Sequence, residues 1–157
     1  ALKDEGALGG EVLVETYADA LAFCDRPAPR TPVEAKFSLQ HAVAVVAERG
    51  APTPADFEPD AISALAKSRA RVRVAEAAEF SARYPEHFGA RVTAGGRTVE
   101  LSDTLGDPER PLSSDGVIAK ARALMAWGGL PDAAAERGVA LALEGDDPAA
   151  LVAWLEE

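Results

Sequence analysis

The sequence predicts an α+β fold, a small and mainly antiparallel sheet packed against a long buried helix and a set of C-terminal helices. Three observations carry this reading. Short runs of alternating apolar and polar residues recur at 11–17, 69–76 and 90–104. A long run with helical spacing, 31–50, opens on Thr31-Pro32 and closes on Gly50. From Pro111 onward every apolar segment has helical spacing and a helix start or stop signal at its ends. At 157 residues the chain suits one domain, 1–157, with room for a core.

Taken in order, EVLVETYADALAFC (11–24) contains the alternation Val12, Val14, Thr16 and reads as a strand over at least 11–17; its second half, YADALAFC, either continues the strand, the favoured reading, or turns helical. DRPAPRTP follows with three prolines and no periodicity, which makes it a loop. In the next helix Thr31 serves as N-cap, Pro32 sits where a missing N–H costs nothing, and Glu34 is placed to close a capping box. Ala35, Leu39, Ala42, Val43 and Val46 share one face, while Phe37, Ala44 and Val45 fall on others, so this helix is expected to be buried on more than one side. Thr53-Pro54-Ala55-Asp56 repeats the start signal for a short helix or turn, and 60–68 reads as a further helix. RARVRVAE (69–76) alternates strictly and reads as a strand. In 90–104 two alternating runs meet at Gly95-Gly96, a hairpin signal because paired glycines accept the positive φ of tight turns. Three helices complete the chain: 114–127 opened by Ser113 or Ser114, 132–143, and 148–156 started by Asp147 and Pro148.

Sixteen basic residues against 26 acidic ones give a formal charge of −10, and both halves of the chain are acidic. Nucleic acid is therefore not an expected partner, since phosphate binding needs a concentrated basic surface. A single cysteine, Cys24, leaves no internal disulfide, and no apolar run reaches the roughly 20 residues of a membrane span. A cytoplasmic protein with no membrane partner is the expectation.

His41 and His87 lie far apart in sequence with no Cys pair or HExxH spacing, so no metal site is expected. No GxSxG elbow supports a nucleophilic triad, and Gly95-Gly96 and Gly128-Gly129 lack the pattern of a phosphate-cradling loop. Lys67, Arg69, Arg71 and Arg73 fall at every second position, which in an extended segment sets four cations on one face. That face reads as a solvated strand edge, with carboxylate binding as the functional alternative. The more informative set is Lys36, Ser38, Gln40 and His41, four hydrogen-bonding side chains in the first half of an apolar helix. On one continuous helix Lys36 and Gln40 share a face and Ser38 pairs with His41. Such a set either seals a seam by hydrogen bonding or faces a pocket where it holds an anion or moves a proton.

EAKFSLQHAVAV, preceded by FCDRPAPRTP and followed by RGAPTPADF, resembles the C-terminal domain of the MmgE/PrpD family, whose members include 2-methylcitrate dehydratase, cis-aconitate decarboxylase and iminodisuccinate epimerase. The resemblance runs on through KSRARVRV, YPEHFGARVTAGGRTVE, LGDPERPLS and the helix holding Lys120. It implies part of a lyase (a dehydratase or decarboxylase) or isomerase that acts on small polycarboxylates without metal or organic cofactor. In the family the active site lies between a helical N-terminal domain, which holds most catalytic residues, and this smaller domain. No catalytic residue is assigned here; Lys36, Ser38, Gln40 and His41 are expected to bind substrate or support the cleft, Lys36 and Gln40 by orienting the cleft or a carboxylate and His41 by anchoring a loop. The helical domain is absent from these 157 residues. The order of expectation is a fragment, then a subunit completed by a helical partner chain, then a stand-alone domain, each inclined to form homo-oligomers. The alternative to an enzyme is a non-catalytic binding or assembly module using the exposed inter-domain face.

Overall fold

The computed structural model describes Leu2 and residues 7–156. Two compact units are present, Ala1–Arg110 and Pro111–Glu157.

The first unit contains a four-stranded sheet of order β2-β1-β3-β4, formed by β1 (Val12–Thr16), β2 (Val72–Glu76), β3 (Ala90–Ala94) and β4 (Arg97–Leu101). Two of its three pairings are antiparallel, β1 with β3 and β3 with β4; the third, β1 with β2, is parallel, so the sheet is mixed. A parallel pair needs a long crossover. Residues 17–71 provide it as five α-helices, α1 (Ala18–Cys24), α2 (Pro32–Lys36), α3 (Leu39–Glu48), α4 (Pro59–Ala64) and α5 (Ala66–Arg69), with a short 3-10 helix at Pro54–Phe57 between α3 and α4. The crossover lays α3 against one sheet face. Val12, Val14, Val72 and Ala94 are buried there, with Val43 and Ala47 of α3 packed onto them.

On the opposite face Arg91 of β3 stands across from Glu15 of β1 and Glu100 of β4. Its guanidinium grips Glu15 with two bonds, at 2.9 and 3.2 Å, and reaches Glu79 at 2.8 Å and Glu100 at 3.4 Å. Glu79 belongs to the short helix α6 (Ala78–Ser81), whose Phe80 is only 1% exposed beneath the Arg83 and Arg91 guanidiniums. The hairpin between β3 and β4 turns at Gly95 (φ 58°) and Gly96 (φ 75°), both in the left-handed region that glycine alone enters without strain.

Three segments differ from the sequence reading. YADALAFC does not extend β1: Tyr17 is the last extended residue and Ala18–Cys24 is α1. Alanine and leucine are strong helix formers, and these short residues outweigh the alternation before them. The segment 31–50 is two helices, broken at Phe37-Ser38. Ser38 takes an extended conformation (φ −117°, ψ 108°) and its hydroxyl accepts from the His41 N–H, so it caps α3 and does not continue α2. Lys36 and Gln40 therefore lie on different helices, and the Ser38–His41 link is a cap. Finally, strand β2 starts only at Val72, because residues 66–69 form α5. The four cations do not share a face: Arg69 is buried, Arg71 pairs with Glu48 at 3.0 Å and Arg73 with Glu11 at 3.7 Å.

Both helix starts on this crossover form, although the capping box expected at Thr31 is not closed. Thr31 Oγ1 accepts from the Glu34 N–H, while the Glu34 carboxylate reaches one residue further back, to the Arg30 N–H at 2.7 Å. The Asp56 carboxylate accepts from both the Thr53 N–H and hydroxyl at 2.7 Å. Gly50, at φ 102°, ends α3.

The second unit comprises α7 (Ser114–Trp127), α8 (Asp132–Leu143) and α9 (Pro148–Leu155), the C-terminal helices expected from the sequence. Ser113 caps α7 and Asp147 caps α9. Arg122 ties α7 to α8 through two bonds to Glu136, each 2.6 Å. Trp154 of α9 lies over Gly138 of α8 and donates to the Ala134 carbonyl at 3.0 Å.

Candidate functional site

The polar set singled out in the sequence gathers where α1, the proline-rich loop, α2 and α3 meet. Ser38 and Gln40 are each only 2% exposed, and His41 is fully buried. Buried polar groups must be paired, so where their hydrogen bonds go decides what they do. Ser38 and Gln40 spend theirs on one short piece of chain. The Ser38 hydroxyl donates to the Arg26 carbonyl at 2.6 Å, the Gln40 carbonyl oxygen accepts from the Arg26 N–H at 3.2 Å, and the Gln40 amide donates to the Asp25 carboxylate at 2.6 Å. Both main-chain groups of Arg26 are thereby pinned to the start of α3.

His41 faces the other way. Arg69 Nη1 approaches its Nδ1 at 3.2 Å, and a guanidinium can only donate, so Nδ1 accepts and Nε2 carries the proton that is given to the Asp56 carbonyl at 2.7 Å. Burial holds the imidazole below its ordinary pKa, the Asp56 carbonyl partly offsets this, and the Arg69 charge adds to the lowering. Arg69, 7% exposed, also donates to the Ile62 carbonyl. Asp56, 5% exposed, is pushed up by burial, but hydrogen bonds from Arg49 at 2.8 Å and from Thr53 outweigh that and hold it below the usual carboxylate range. With both ring nitrogens committed, His41 fixes the 53–57 turn and has no free lone pair with which to take a substrate proton.

Lys36 is the member of the set that reaches solvent. Its residue is exposed at the end of α2, and among the described residues its ammonium has no ion-pair partner. Beside α2 the clamped loop frames a depression of about 320 Å³ lined by Arg26, Pro27, Ala28, Pro29, Arg30 and Glu34. A second depression of about 330 Å³ shares Arg26 and Glu34 and adds Phe23, Val33 and Phe37, three exposed apolar side chains. Sequence reasoning passed over Arg26 and Arg30 because they sit in a loop without periodicity. Two arginines flanking Pro27 and Pro29 were the available signal.

Two further features lie in the first unit. An apolar groove of about 410 Å³ is lined by Leu39, Val43 and Val46 of α3 together with Leu8, Val92 and Val99. His87 Nδ1 stands 2.7 Å from Asp103 Oδ1, and that hydrogen bond raises the histidine pKa. Among the described residues no group of three or more His, Cys, Asp or Glu side chains converges as a metal site would require. No described helix is long and apolar enough to cross a membrane.

The residues matched by a family model span the polar set and the loop that it holds. A model of the MmgE/PrpD C-terminal domain matches residues 10–144, from two residues before β1 to the residue after α8. The chain belongs to the MmgE/PrpD C-terminal domain family. It is thus a domain type of a dehydratase- and isomerase-like enzyme family. In this MmgE/PrpD domain the EAKFSLQH run is the α2–α3 corner: its Ser38 is the cap that breaks the helix, and its Gln40 and His41 are the buried clamps. A search of curated protein sequences returned no match.

Proposed function

We propose that this MmgE/PrpD domain works in a lyase or isomerase acting on small polycarboxylates, contributing one wall of the cleft and relying on a helical domain for the reacting groups. The observation that carries this reading is the family match over residues 10–144. Proton removal next to a carboxylate needs a base, and it needs cations or donors to hold the carboxylates and the enolate-like state. Of the polar residues at the α2–α3 corner, His41 is committed at both nitrogens and Ser38 and Gln40 are committed to Asp25 and Arg26. That division suits a supporting wall: Ser38 and Gln40 set the loop, and Lys36 presents a charge. No metal or organic cofactor enters the proposal. The exposed groove along α3 supports a second reading, a non-catalytic assembly module.

The class can be tested without knowing the outcome of the reaction. The chain is incubated in D2O with 2-methylcitrate, cis-aconitate or iminodisuccinate, alone and with the helical domain of a family member. Exchange of the proton next to a carboxylate is then followed by NMR. Exchange or product with the helical domain present, slowed by Lys36→Met, supports the reading. No exchange in either arm sinks it and leaves the assembly module.

A further inference from the structure

We propose that the depression between Arg26 and Arg30 is a carboxylate-binding subsite. The choice of carboxylate as ligand rests on the polycarboxylate reading above, while the site itself rests on geometry.

The first observation is charge without a partner. The chain carries 26 acidic residues against 16 basic ones, so a surface arginine readily finds a carboxylate. Arg49, Arg71, Arg83, Arg91 and Arg122 each do so within 4 Å. Among the described residues the Arg26 and Arg30 guanidiniums have no ion-pair partner, although both line one depression of about 320 Å³. Arg26 spends its Nε–H on the Phe23 carbonyl at 3.0 Å, which orients the guanidinium and leaves its terminal amino groups for a ligand.

The second observation is preorganisation. Ser38 and Gln40, both buried, fix the carbonyl and N–H of Arg26 and the side chain of Asp25. Pro27 and Pro29 restrict the loop between the two arginines, and the Glu34 carboxylate holds the Arg30 N–H. A loop held at both ends loses little freedom when a ligand arrives, so more of the ion-pair energy appears as affinity. Arginine offers a planar fork that matches a carboxylate. Glu34 is the opposing charge on the rim, and it disfavours an anion that crowds its side of the depression.

The test is direct binding of citrate to the chain, read from the arginine side-chain NMR signals at constant ionic strength, with inorganic phosphate as the comparison anion. Citrate is expected to shift the Arg26 and Arg30 signals saturably. Arg26→Gln and Arg30→Gln should each weaken it by about three- to tenfold, a range that allows for solvent exposure. Glu34→Gln keeps an acceptor for the Arg30 N–H, removes the charge, and should tighten citrate. Arg26→Lys keeps the charge without the fork and should still weaken it. No saturable shift at these two residues overturns the proposal, and so does phosphate binding as tightly as citrate, which marks a general anion site. Because binding and not turnover is read, failed D2O exchange with citrate binding intact removes the reaction and keeps the subsite. The reverse result removes the subsite alone.

Discussion

A neutral imidazole and a guanidinium share the buried end of α3, and each explains the state of the other. Arg69 is 7% exposed, and its Nε–H has no partner among the described residues; burial lowers its own pKa. Its Nη1 hydrogen serves His41 Nδ1, so protonating that nitrogen would remove an acceptor and set two cations together in low dielectric. Arg69→Met is expected to raise the His41 pKa toward its ordinary 6.5, because the charge that lowers it is gone while burial remains. The shift can be followed on the His41 Cε1 proton by NMR titration. A variant in which His41 titrates where it does in the parent would show that the Arg69 charge does not set its state.

Elements were legible where a cap or a turn made the decision locally. Gly95-Gly96 gave the hairpin, and Ser113, Asp147 and the helix-breaking glycines gave the three C-terminal helices almost to the residue. The break at Ser38 was hidden because its hydroxyl also satisfies the carbonyl of Arg26, 12 residues back, a partner that periodicity cannot reveal. The candidate site was half legible for the same reason. Ser38, Gln40 and His41 stood out by type, whereas Asp25, Arg26, Asp56 and Arg69 join them only through contacts 12 to 28 residues away. One element contact lends itself to a quantitative test. A Cβ added at Gly138 would stand 2.3 Å from Trp154 Cζ2, inside the closest approach of carbon atoms. Alanine in a helix interior is worth about 1 kcal/mol over glycine, but displacing Trp154 costs its bond to Ala134 and the overpacking penalty of about 1–3 kcal/mol. Gly138→Ala is therefore expected to destabilise the chain in denaturant unfolding, and adding Trp154→Leu should recover part of the loss. A stabilised single variant would mean that the helix-propensity gain wins and Trp154 yields freely.

Across the whole molecule the two histidines respond to pH in opposite directions. His41 has a folded-state pKa below its unfolded one, so as pH falls through about 6.5 the unfolded chain takes up the proton first and stability drops. Asp56 adds to the same limb further down, since its lowered pKa gives stability that fades as pH falls below the ordinary 3.8. His87 runs the other way. The Asp103 hydrogen bond raises its pKa, so its contribution is complete below about 6.5 and is lost as pH climbs through the raised value. With a formal charge of −10 the molecule also repels itself more strongly as pH rises, which would steepen the alkaline fall. These terms together predict a decline on each side, toward acid through His41 and toward alkali through His87. Thermal midpoints measured from about pH 4 to about pH 9 at fixed salt test this. His87→Gln should flatten the alkaline side and leave the acid side in place, whereas Arg69→Met should shallow the acid side first. An alkaline limb unchanged in His87→Gln would mean that the 2.7 Å pair with Asp103 contributes nothing to stability.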